Sequence, residues 1–434
     1  MPDSVRWIEP DACCGCGVCA ALAPCRRLEM TLSPHGFYVP TFDRCSGCGA
    51  CETVCPGCAG ATADVEAPLG DFLATFVGHS AHDDERAQAS SGGLATRVLK
   101  ALLDRGEIDA AVVVRSRDAG APLFEAAIAR TPGEIQSATG SKYYPVEFSK
   151  PLRELQESGE RFALVGIPCA ITGVRLGMER YRWLQGQCRA LLGLTCGHLV
   201  STHYTGFLAS VSGVAPSDLR EVDYRHGAGA AGAGDYTFVA TRTDGTTGDE
   251  IPFATEGGIP AAVWGGRLLT PGACFRCTDL FAVDADLTLM DAWLPEYREQ
   301  AAGTSLAVVR SEQMLGLLED ERDAGRLHLA SIDAERVIES QAGGLRHRRQ
   351  GTALRQAERG DRSLPLSRRM MLGWEQLRSR LSTRMFAGGP RLRGLGVGVI
   401  RAWVGYNRAG RRLRSIASRL MKLCKPGRSR RGES

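Results

Sequence analysis

Ten of the sixteen cysteines in this 434-residue chain lie before residue 59, and this cluster constrains the fold more than any other feature. Their positions are 13, 14, 16, 19, 25, 45, 48, 51, 55 and 58. Such a density is typical of a disulfide framework or of a metal centre. The N-terminus, Met-Pro-Asp-Ser-Val-Arg-Trp, lacks the apolar core of a secretory signal, so we expect a cytoplasmic protein whose thiols stay reduced. Clustered thiols in that setting predict metal ligands.

The second half of the cluster has the ligand spacing of bacterial ferredoxins. It contains Cys45, Cys48, Cys51 and Cys55 followed by Pro56, which is a C-x2-C-x2-C-x3-C-P run. In two-cluster ferredoxins, three of these thiolates bind one 4Fe–4S cluster and the fourth binds the other. A structural zinc site is the alternative, but zinc has no use for a third cysteine at this spacing. The run therefore predicts iron–sulfur clusters.

The first half of the cluster departs from this pattern at its fourth position. Cys13, Cys16 and Cys19 keep the ferredoxin spacing. Ala23 stands where the fourth cysteine belongs, and Cys25 follows two residues later. We therefore expect Cys25 to replace the missing ligand.

Crossed ligation divides these thiols into two sets. The first thiol set is Cys13, Cys16, Cys19 and Cys55, and the second thiol set is Cys25, Cys45, Cys48 and Cys51. Cys58 competes with Cys25 for the fourth position of the second set, and Cys14 has no position in either set. If neither Cys25 nor Cys58 reaches the second set, that site holds a three-iron cluster or no cluster.

A third thiol set is dispersed along the chain and consists of Cys169, Cys196, Cys274 and Cys277. Cys169 and Cys196 each follow a predicted strand, and the other two precede one. Cysteines at strand ends of an α/β sheet converge on the edge where such sheets hold ligands. The pattern is compatible with a third cluster. Ordinary buried thiols are the alternative for Cys169 and Cys196.

The chain divides into three predicted parts: a cysteine-rich module at 1–68, an α/β region at 72–345 and a basic region at 346–434. Two or three domains are expected at this length. Short apolar runs predict buried strands in the α/β region, and a helical period predicts a helix. The strands are at 110–114, 162–165, 191–194 and 287–290, and the helix is at 94–103.

The C-terminal region is strongly basic, with 18 Lys and Arg against 2 Asp and Glu over 366–434, while the preceding chain is net acidic. Apolar residues recur between the arginines at Ile400, Trp403, Leu413, Ile416, Leu420 and Leu423. This pattern predicts an interfacial helix on an anionic membrane at the cytoplasmic face. A solvated tail is the alternative, because Gly405 and Gly410 weaken the helix. Nucleic acid is not an expected partner, because no recognition motif accompanies the arginines.

Short motifs follow one another in a definite order between about residues 10 and 310. They are Cys13–Cys19, Cys45–Pro56, Ser90–Gly93, Gly140–Tyr143, Val165–Cys169, Cys196–His198, Cys274–Asp279, Asp291–Trp293 and Gly303–Ser305. In this order they resemble the beta subunits of coenzyme F420 hydrogenases and F420H2 dehydrogenases, a family that includes 7-hydroxymethyl chlorophyll a reductase-like proteins. The resemblance implies an oxidoreductase with 4Fe–4S clusters and FAD, which exchanges electrons with coenzyme F420 or an organic substrate.

The resemblance also implies a flavin site and a role for the third thiol set. The flavin-binding residues would be Ser90, Ser91, Gly92, Gly93, Ser141, Lys142 and Tyr143. The Ser-Ser-Gly-Gly turn precedes the predicted helix, whose positive end and free N–H groups suit a pyrophosphate. A plain N-cap made by Ser90 or Ser91 is the alternative. The third thiol set falls in cysteine-bearing stretches of the family, which favours the third cluster.

The predicted fold class is α+β/α/β: an N-terminal two-cluster ferredoxin-like module, an α/β flavin-binding catalytic domain and a basic C-terminal tail. The expected partners are a redox partner protein or ferredoxin and a small-molecule hydride donor or acceptor. A flavin-free polyferredoxin that only relays electrons is the alternative function. His79, His82 and His198 receive no role, since a lone histidine is more often a surface or hydrogen-bonded residue.

Overall fold

The computed structural model describes residues 12–42, 45, 47–58, 63–117, 120–227, 232–252, 258–358, 366–388, 394–400 and 402. The helices are α1 Val18–Leu22, α2 Asp83–Gln88, α3 Leu94–Asp104, α4 Pro132–Ser137, α5 Ser149–Ser158, α6 Pro168–Arg180, α7 Arg182–Gln187, α8 Thr202–Val211, α9 Ile259–Gly265, α10 Gly272–Arg276, α11 Pro295–Arg298, α12 Glu312–Asp323, α13 Ala334–Ser340, α14 Ala342–Glu358 and α15 Leu366–Ala387. The strands are β1 Leu28–Leu32, β2 Tyr38–Phe42, β3 Ala74–Ser80, β4 Ala110–Ser116, β5 Phe124–Ala129, β6 Phe162–Gly166, β7 Cys188–Leu194, β8 Leu219–His226, β9 Thr237–Arg242, β10 Ile251–Pro252, β11 Leu287–Asp291, β12 Ser305–Val309 and β13 Leu327–Ser331.

A mixed eight-stranded sheet forms the centre of the molecule, in the order β13-β3-β12-β11-β7-β6-β4-β5. Its four central strands, β11, β7, β6 and β4, run parallel to one another, and the pairs outside them are antiparallel. Strands β4, β6, β7 and β11 confirm the four predicted from short apolar runs, and α3 confirms the predicted helix. These runs are apolar throughout because packed layers cover both faces of the sheet.

Two smaller sheets accompany the central one. The cysteine-rich module contributes the antiparallel hairpin β1–β2, and β8, β9 and β10 form an antiparallel sheet of three strands. Side chains from α8, β8 and β9 share a further apolar core that is rich in aromatic rings. The predicted loop at 227–234 follows β8, and its residues 228–231 lie outside the described part of the chain.

The cysteine-rich module shares a hydrophobic core with the α/β body. All five residues of α1 are buried, and the helix packs against α5 and α6. A Cβ atom added at Gly177 of α6 would lie 2.5 Å from the Cδ1 atom of Leu22 of α1, so the Leu22 side chain packs directly over this glycine. The backbone N–H of Phe148 donates to the carbonyl of Cys16 at 2.9 Å. The module is therefore built into the body.

Arg153 on α5 ties the module to the body through the backbone. Its guanidinium donates to the carbonyl of Ala20 at 3.2 and 2.7 Å and to that of Leu28 at 2.6 Å. Ala20 lies at the centre of α1, and Leu28 begins β1. One side chain thus satisfies acceptors on two different elements of the module.

The C-terminal helices α14 and α15 also pack on the body, so the domain boundary predicted at residue 345 falls within α14. Leu269 and Thr270 donate backbone N–H groups to the hydroxyls of Ser382 and Ser379 at 3.2 and 2.9 Å. Both hydroxyl-bearing residues are buried. Although this region is basic overall, one face of α15 carries the small polar residues Ser379 and Ser382, and this face packs against the body.

The residues that predicted an interfacial helix are only partly within the described chain. Ile400 is buried and packs in the aromatic core with Phe386, so its expected place at a membrane surface is wrong. The other five positions, Trp403, Leu413, Ile416, Leu420 and Leu423, lie outside the described residues. Over the residues that the structure describes, no helix is long and apolar enough to cross a membrane.

Replacing Arg153 with Met tests the attachment of the module. The change leaves two backbone carbonyls without their donor, and we expect a loss of about 2 kcal/mol in the free energy of unfolding. The midpoint of urea unfolding, with limited proteolysis of the module as a second readout, measures the effect. Lys150→Met on the exposed face of α5 is the matched control. Equal stability of the two variants would contradict the role given to Arg153.

Candidate functional site

The first thiol set lines a single cavity in the module, together with Met30 and Pro56. Two glycines with positive φ angles, Gly15 at 72° and Gly17 at 79°, turn the loop that carries its first thiols. The backbone N–H of Gly15 points at the sulfur of Cys13 at 3.4 Å. Burial raises the pKa of Cys13 to about 12 and that of Cys19 still further. Metal binding would offset this effect, because cysteine ligands bind a metal as thiolates.

The second thiol set lines a neighbouring cavity, and Cys25 is one of the residues in its wall. Cys45, Cys48 and Cys51 come from the loop before Val54, in which Gly47 donates its N–H to the sulfur of Cys45 at 3.4 Å. Burial, with Cys45, Cys48 and Cys25 as neighbours, raises the pKa of Cys51 to about 11. The structure thus brings together the four thiols that crossed ligation requires.

Cys55 and Cys58 lie with the first set, although Cys55 is the last cysteine of the second motif and Cys58 follows it. Cys55 lines the cavity of the first set. The thiol of Cys58 is hydrogen-bonded to that of Cys55 and lies close enough to affect Cys13. Cys58 is therefore placed beside the first set, and it is absent from the residues that line the cavity of the second.

Each of the two cavities is lined by all four thiols of one set. Among the described residues, no three Cys, His, Asp or Glu side chains converge closely enough to hold one metal ion. Zinc ligands lie about 2.3 Å from their ion and crowd around one point. A four-iron cluster instead occupies the space between its thiolates. The thiols that line these two cavities fit 4Fe–4S clusters.

Cys14, which has no position in the ferredoxin frame, connects the module to the body. The thiols of Cys16 and Cys169 lie close enough to act on its thiol. Their interaction with Cys14 holds the pKa of Cys14 well below its usual value and raises the pKa of both partners. Cys14 thus lies between the first thiol set and the first member of the third.

The third thiol set lies at the carboxyl edge of the parallel strands. Cys169 begins α6 after β6, Cys196 follows β7, and the loop with Cys274 and Cys277 precedes β11. Cys196, Cys274 and Cys277 lie close enough to influence one another, and burial raises the pKa of Cys196 to about 11. Cys169 interacts directly with Cys14 and at longer range with Cys196. The set is therefore three neighbouring thiols with Cys169 on the side of the module.

Several polar groups around the third set have a buried atom without a hydrogen-bond partner in the described part of the chain. Those with an unpartnered atom among the described residues are Thr195, His198, Asp279, His347 and Arg348. Burial lowers the pKa of His198 to about 3 and raises that of Asp279 to about 6. Buried polar groups in proteins are nearly always hydrogen-bonded, so such a concentration indicates a site that takes a polar or charged group. The donor set around the third thiols fits a cluster.

The two segments expected to bind flavin, Ser90–Gly93 and Gly140–Tyr143, meet beside the stretch Gly303–Ser305. The N–H of Ser141 donates to the hydroxyl of Ser90 at 2.6 Å. Ser91 donates to the carbonyl of Thr304 at 2.8 Å, and the N–H of Gly92 donates to the hydroxyl of Ser305 at 2.9 Å. Three separate stretches of sequence thus form one surface at the start of α3.

Backbone packing and backbone conformation explain the glycines at Gly92 and Gly93, independently of any ligand. A Cβ atom at Gly92 would lie 2.6 Å from the carbonyl oxygen of Gly78 and 2.8 Å from the backbone nitrogen of Ser305. Gly93 has a φ of 77° and precedes α3. A substitution at Gly92 would therefore disturb the sheet before it could report on a flavin.

Lys142 and Tyr143 differ in what they offer to a ligand. The Lys142 ammonium donates to the carbonyls of Ala138, Thr139 and Gly140, which uses its three protons, and burial lowers its pKa to about 8. Lys142 thus braces the loop after α4. The Tyr143 ring lies against Trp264, with 4.8 Å between ring centroids.

Aromatic contacts continue from Tyr143 to the third thiol set. Trp264 stacks at 4.2 Å on His198, which lies two residues after Cys196. Next to Tyr143, Arg225 forms a buried ion pair with Asp291 at 3.1 Å. Sequence reasoning missed Trp264, Arg225 and Arg348, because no local motif marks them. The flavin segments and the third thiol set therefore form one continuous site.

Comparison with known proteins identifies the body of the chain. Residues 75–153 match the N-terminal family model of the coenzyme F420 hydrogenase/dehydrogenase beta subunit, and residues 159–335 match the C-terminal model. Together the two matches cover more than half of the chain. The chain belongs to the family of coenzyme F420 hydrogenase/dehydrogenase beta subunits. The family predicted from the sequence motifs is confirmed.

Curated relatives share parts of this beta-subunit sequence. A component of the F420H2 dehydrogenase of Methanosarcina mazei is 28% identical over 203 residues, which are 45% of this chain. The match covers only 56% of that relative. An uncharacterized protein of Methanocaldococcus jannaschii is 36% identical over 94 residues, 22% of this chain and 35% of that protein.

The fold of this beta-subunit homologue also resembles a solved structure. A chain of the F420-reducing [NiFe] hydrogenase complex of Methanosarcina barkeri superposes with a TM-score of 0.51 at 16% identity. The similarity covers 67% of this chain and 94% of that one. It shows that the two share a fold. The cysteine-rich module up to residue 58 and the helices α14 and α15 lie outside the two matched family ranges.

Cys25→Ser and Cys58→Ser form a matched pair for testing the second thiol set. Cys25 lines the cavity of that set and Cys58 does not, so we expect Cys25→Ser to lose up to about four iron atoms per chain. Cys58→Ser should keep the wild-type iron content. Iron and acid-labile sulfide per chain, measured after anaerobic purification, give the answer. The reverse result would exchange the ligand roles of the two cysteines.

Proposed function

We propose that this protein is an iron–sulfur flavoprotein oxidoreductase. It passes electrons between 4Fe–4S clusters and a two-electron partner, coenzyme F420 or an organic substrate, through FAD. The family and the name of the Methanosarcina mazei relative, part of an F420H2 dehydrogenase, support the oxidoreductase class and favour F420 as the partner. A separate redox protein or ferredoxin would exchange electrons with the module.

The observation that carries the proposal is a continuous series of contacts between the thiol sets and the flavin segments. Cys51 of the second set lies close enough to affect Cys19 of the first. Cys14, beside the first set, lies close enough to affect Cys169 of the third. Electron carriers bound along this series would lie within one packed unit.

The same series continues from the third set to the expected flavin position. His198, Trp264 and Tyr143 lie in contact, ring against ring. Bound FAD would supply the junction, since flavins exchange hydrides with organic partners and single electrons with clusters. The aromatic rings exclude water and hold one wall of the site in place. Buried side chains fix the distances between the carriers.

The residues at the start of α3 would orient the flavin. The hydroxyls of Ser90 and Ser91 are engaged by Ser141 and Thr304, which fixes the turn. The turn leaves the first N–H groups of α3 without a side-chain cap, and these groups suit a phosphate oxygen. Lys142 keeps the neighbouring loop closed through its three carbonyl contacts.

A flavin-free polyferredoxin is the second candidate function. The contacts between the second, first and third thiol sets favour it independently of any flavin, because they would relay electrons in the same way. The two candidates differ only in the flavin. A bound flavin has an absorption band at about 450 nm, which can be measured after anaerobic purification.

Iron, acid-labile sulfide and flavin analysis of the anaerobically purified chain tests the function. We expect about twelve iron atoms for three clusters and one FAD per chain, with bleaching of the flavin by F420H2. Clusters without flavin would establish the relay function instead, and zinc without sulfide would exclude both. Reduction by an organic donor but not by F420H2 would assign an organic substrate.

Iron analysis of two cysteine variants tests whether the third thiol set binds a cluster. Cys196→Ser removes a member of that set, and we expect about four fewer iron atoms per chain. Cys188→Ser is the control, because Cys188 is buried in the neighbouring strand β7 but belongs to none of the three sets. Equal iron in both variants would contradict the third cluster and leave the other two.

A further inference from the structure

Arg348 places a guanidinium inside the third thiol site from a helix outside the matched family ranges. It lies on α14 and is 1% exposed. One of its terminal nitrogens donates to the carbonyl of Cys196, and the other lies 3.5 Å from the carbonyl of Cys277. A Cβ atom at Gly351 would lie 2.9 Å from the carbonyl of Phe275, so α14 and α10 are in close contact.

The charge of Arg348 has no ion-pair partner within the described residues. The neighbouring Arg267 pairs with Glu375 at 3.3 Å, whereas Arg348 has no ion pair within 4.0 Å among the described residues, and the carboxyl group of Asp279 acts on it only at longer range. Its Nε atom also has no hydrogen-bond partner among the described groups. A buried charge without a counter-charge is costly, so the site calls for an anionic group beside Arg348. The groups that interact with it most strongly are the thiols of Cys277, Cys196 and Cys274.

We propose that Arg348 is a positioning residue for the third thiol set, where its charge raises the reduction potential of the bound cluster. The inference rests on the proposed function, because it requires a cluster at that set. Reduction adds an electron to the cluster, and a buried positive charge nearby stabilises the reduced state. Net charge and hydrogen bonding near the sulfurs are known to set cluster potentials. Helix α14 thus completes the site by supplying the counter-charge.

A purely structural role for Arg348 is the alternative, in which its hydrogen bonds hold α14 to the carbonyls of Cys196 and Cys277. The two roles respond differently to two substitutions. Arg348→Gln keeps a donor and removes the charge, whereas Arg348→Lys keeps the charge and loses the planar fork. Arg346→Gln, at an exposed position of the same helix, is the matched control.

Redox titration of the full anaerobic chain, followed by electron paramagnetic resonance, tests the inference. We expect Arg348→Gln to lower the potential of one cluster by at least about 59 mV, a ten-fold change in its one-electron reduction equilibrium. Arg348→Lys should shift it by less, and Arg346→Gln should leave all potentials unchanged. Loss of the third cluster from Arg348→Gln alone would support the same role for the charge.

Three results would overturn the inference. Unchanged potentials in Arg348→Gln would exclude an effect of the charge while leaving the three-cluster proposal intact. Loss of the third cluster from both variants would show that the shape of the guanidinium matters and its charge does not. About eight iron atoms in the wild-type chain, with Cys196→Ser unchanged, would remove the third cluster and the inference together.

An independent observation concerns an exposed apolar stripe on α15, which we call the C-terminal stripe. Its residues Met370, Trp374, Leu377 and Leu381 follow the spacing of one helix face and are 66, 61, 45 and 47% exposed. Residues 394–400 add Leu395 and Val399 at 58 and 49% exposure. These six are the majority of the large exposed hydrophobic residues in the described chain. Contiguous exposed apolar surface of this kind marks an interaction site.

The charge around the C-terminal stripe selects the partner. Arg380 and Arg384 are exposed on the same helix, and its single acidic residue, Glu375, is paired with Arg267. The chain from 366 to 434 contains 18 basic and 2 acidic residues. We propose that the C-terminal stripe binds the surface of an anionic membrane, with the arginines at the lipid headgroups. Apolar insertion and basic flanks together give the affinity that neither supplies alone.

Co-sedimentation with vesicles tests this second proposal on the full chain. Vesicles containing phosphatidylserine should bind the protein, and the double substitution Trp374→Ser with Leu377→Ser should weaken binding by at least about ten-fold. Phe72→Ser removes a side chain that is 41% exposed elsewhere and is the matched control. A chain ending at Ala402 keeps the stripe and should still bind. Equal binding of the double variant and the control, or equal binding to neutral vesicles, would overturn the proposal.

Discussion

The surroundings of the carboxyl edge of the parallel strands depend on one constraint: thiols and charged groups are buried there, and their burial costs free energy. Burial keeps Cys196 protonated, raises the pKa of Asp279 to about 6 and surrounds Arg348 with protein. Each of these groups costs free energy in a dry interior unless a partner or a bound cofactor compensates it. Several such groups lie together where strands β6, β7 and β11 end. That concentration indicates chemistry, since stability alone would favour apolar side chains.

The elements that the sequence predicted correctly are those with strong local signals. Strands β4, β6, β7 and β11 are apolar at successive positions because both faces are covered, and such runs are visible without any tertiary information. The two sets expected from the cysteine spacing line the two cavities of the module, and their role as cluster ligands stays a prediction. The contact of Cys14 with Cys169 joins residues far apart in sequence. No spacing rule contains it, and the same holds for the stacking of Trp264 on His198.

The C-terminal helices show how composition can mislead. A segment with many arginines predicted a surface tail. The net charge of a segment does not show on which face of a helix the arginines lie. Helix α15 turns Ser379 and Ser382 toward the body, where their hydroxyls accept from the backbone around Leu269. Helix α14 turns Arg348 inward and leaves Arg346 outside. Only the position of the body decides which arginine becomes part of the site.

The shared core between α1 and helices α5 and α6 has a consequence for how electrons move. In many redox proteins a small carrier domain swings on a linker, and diffusion of that domain limits the rate. Here the module is clamped by close helix packing and by the contacts of Arg153. Carriers held in such a frame keep constant separations, so intramolecular transfer would depend on tunnelling distance and be insensitive to solvent viscosity. Transfer between the module and the body would then require no movement of the module.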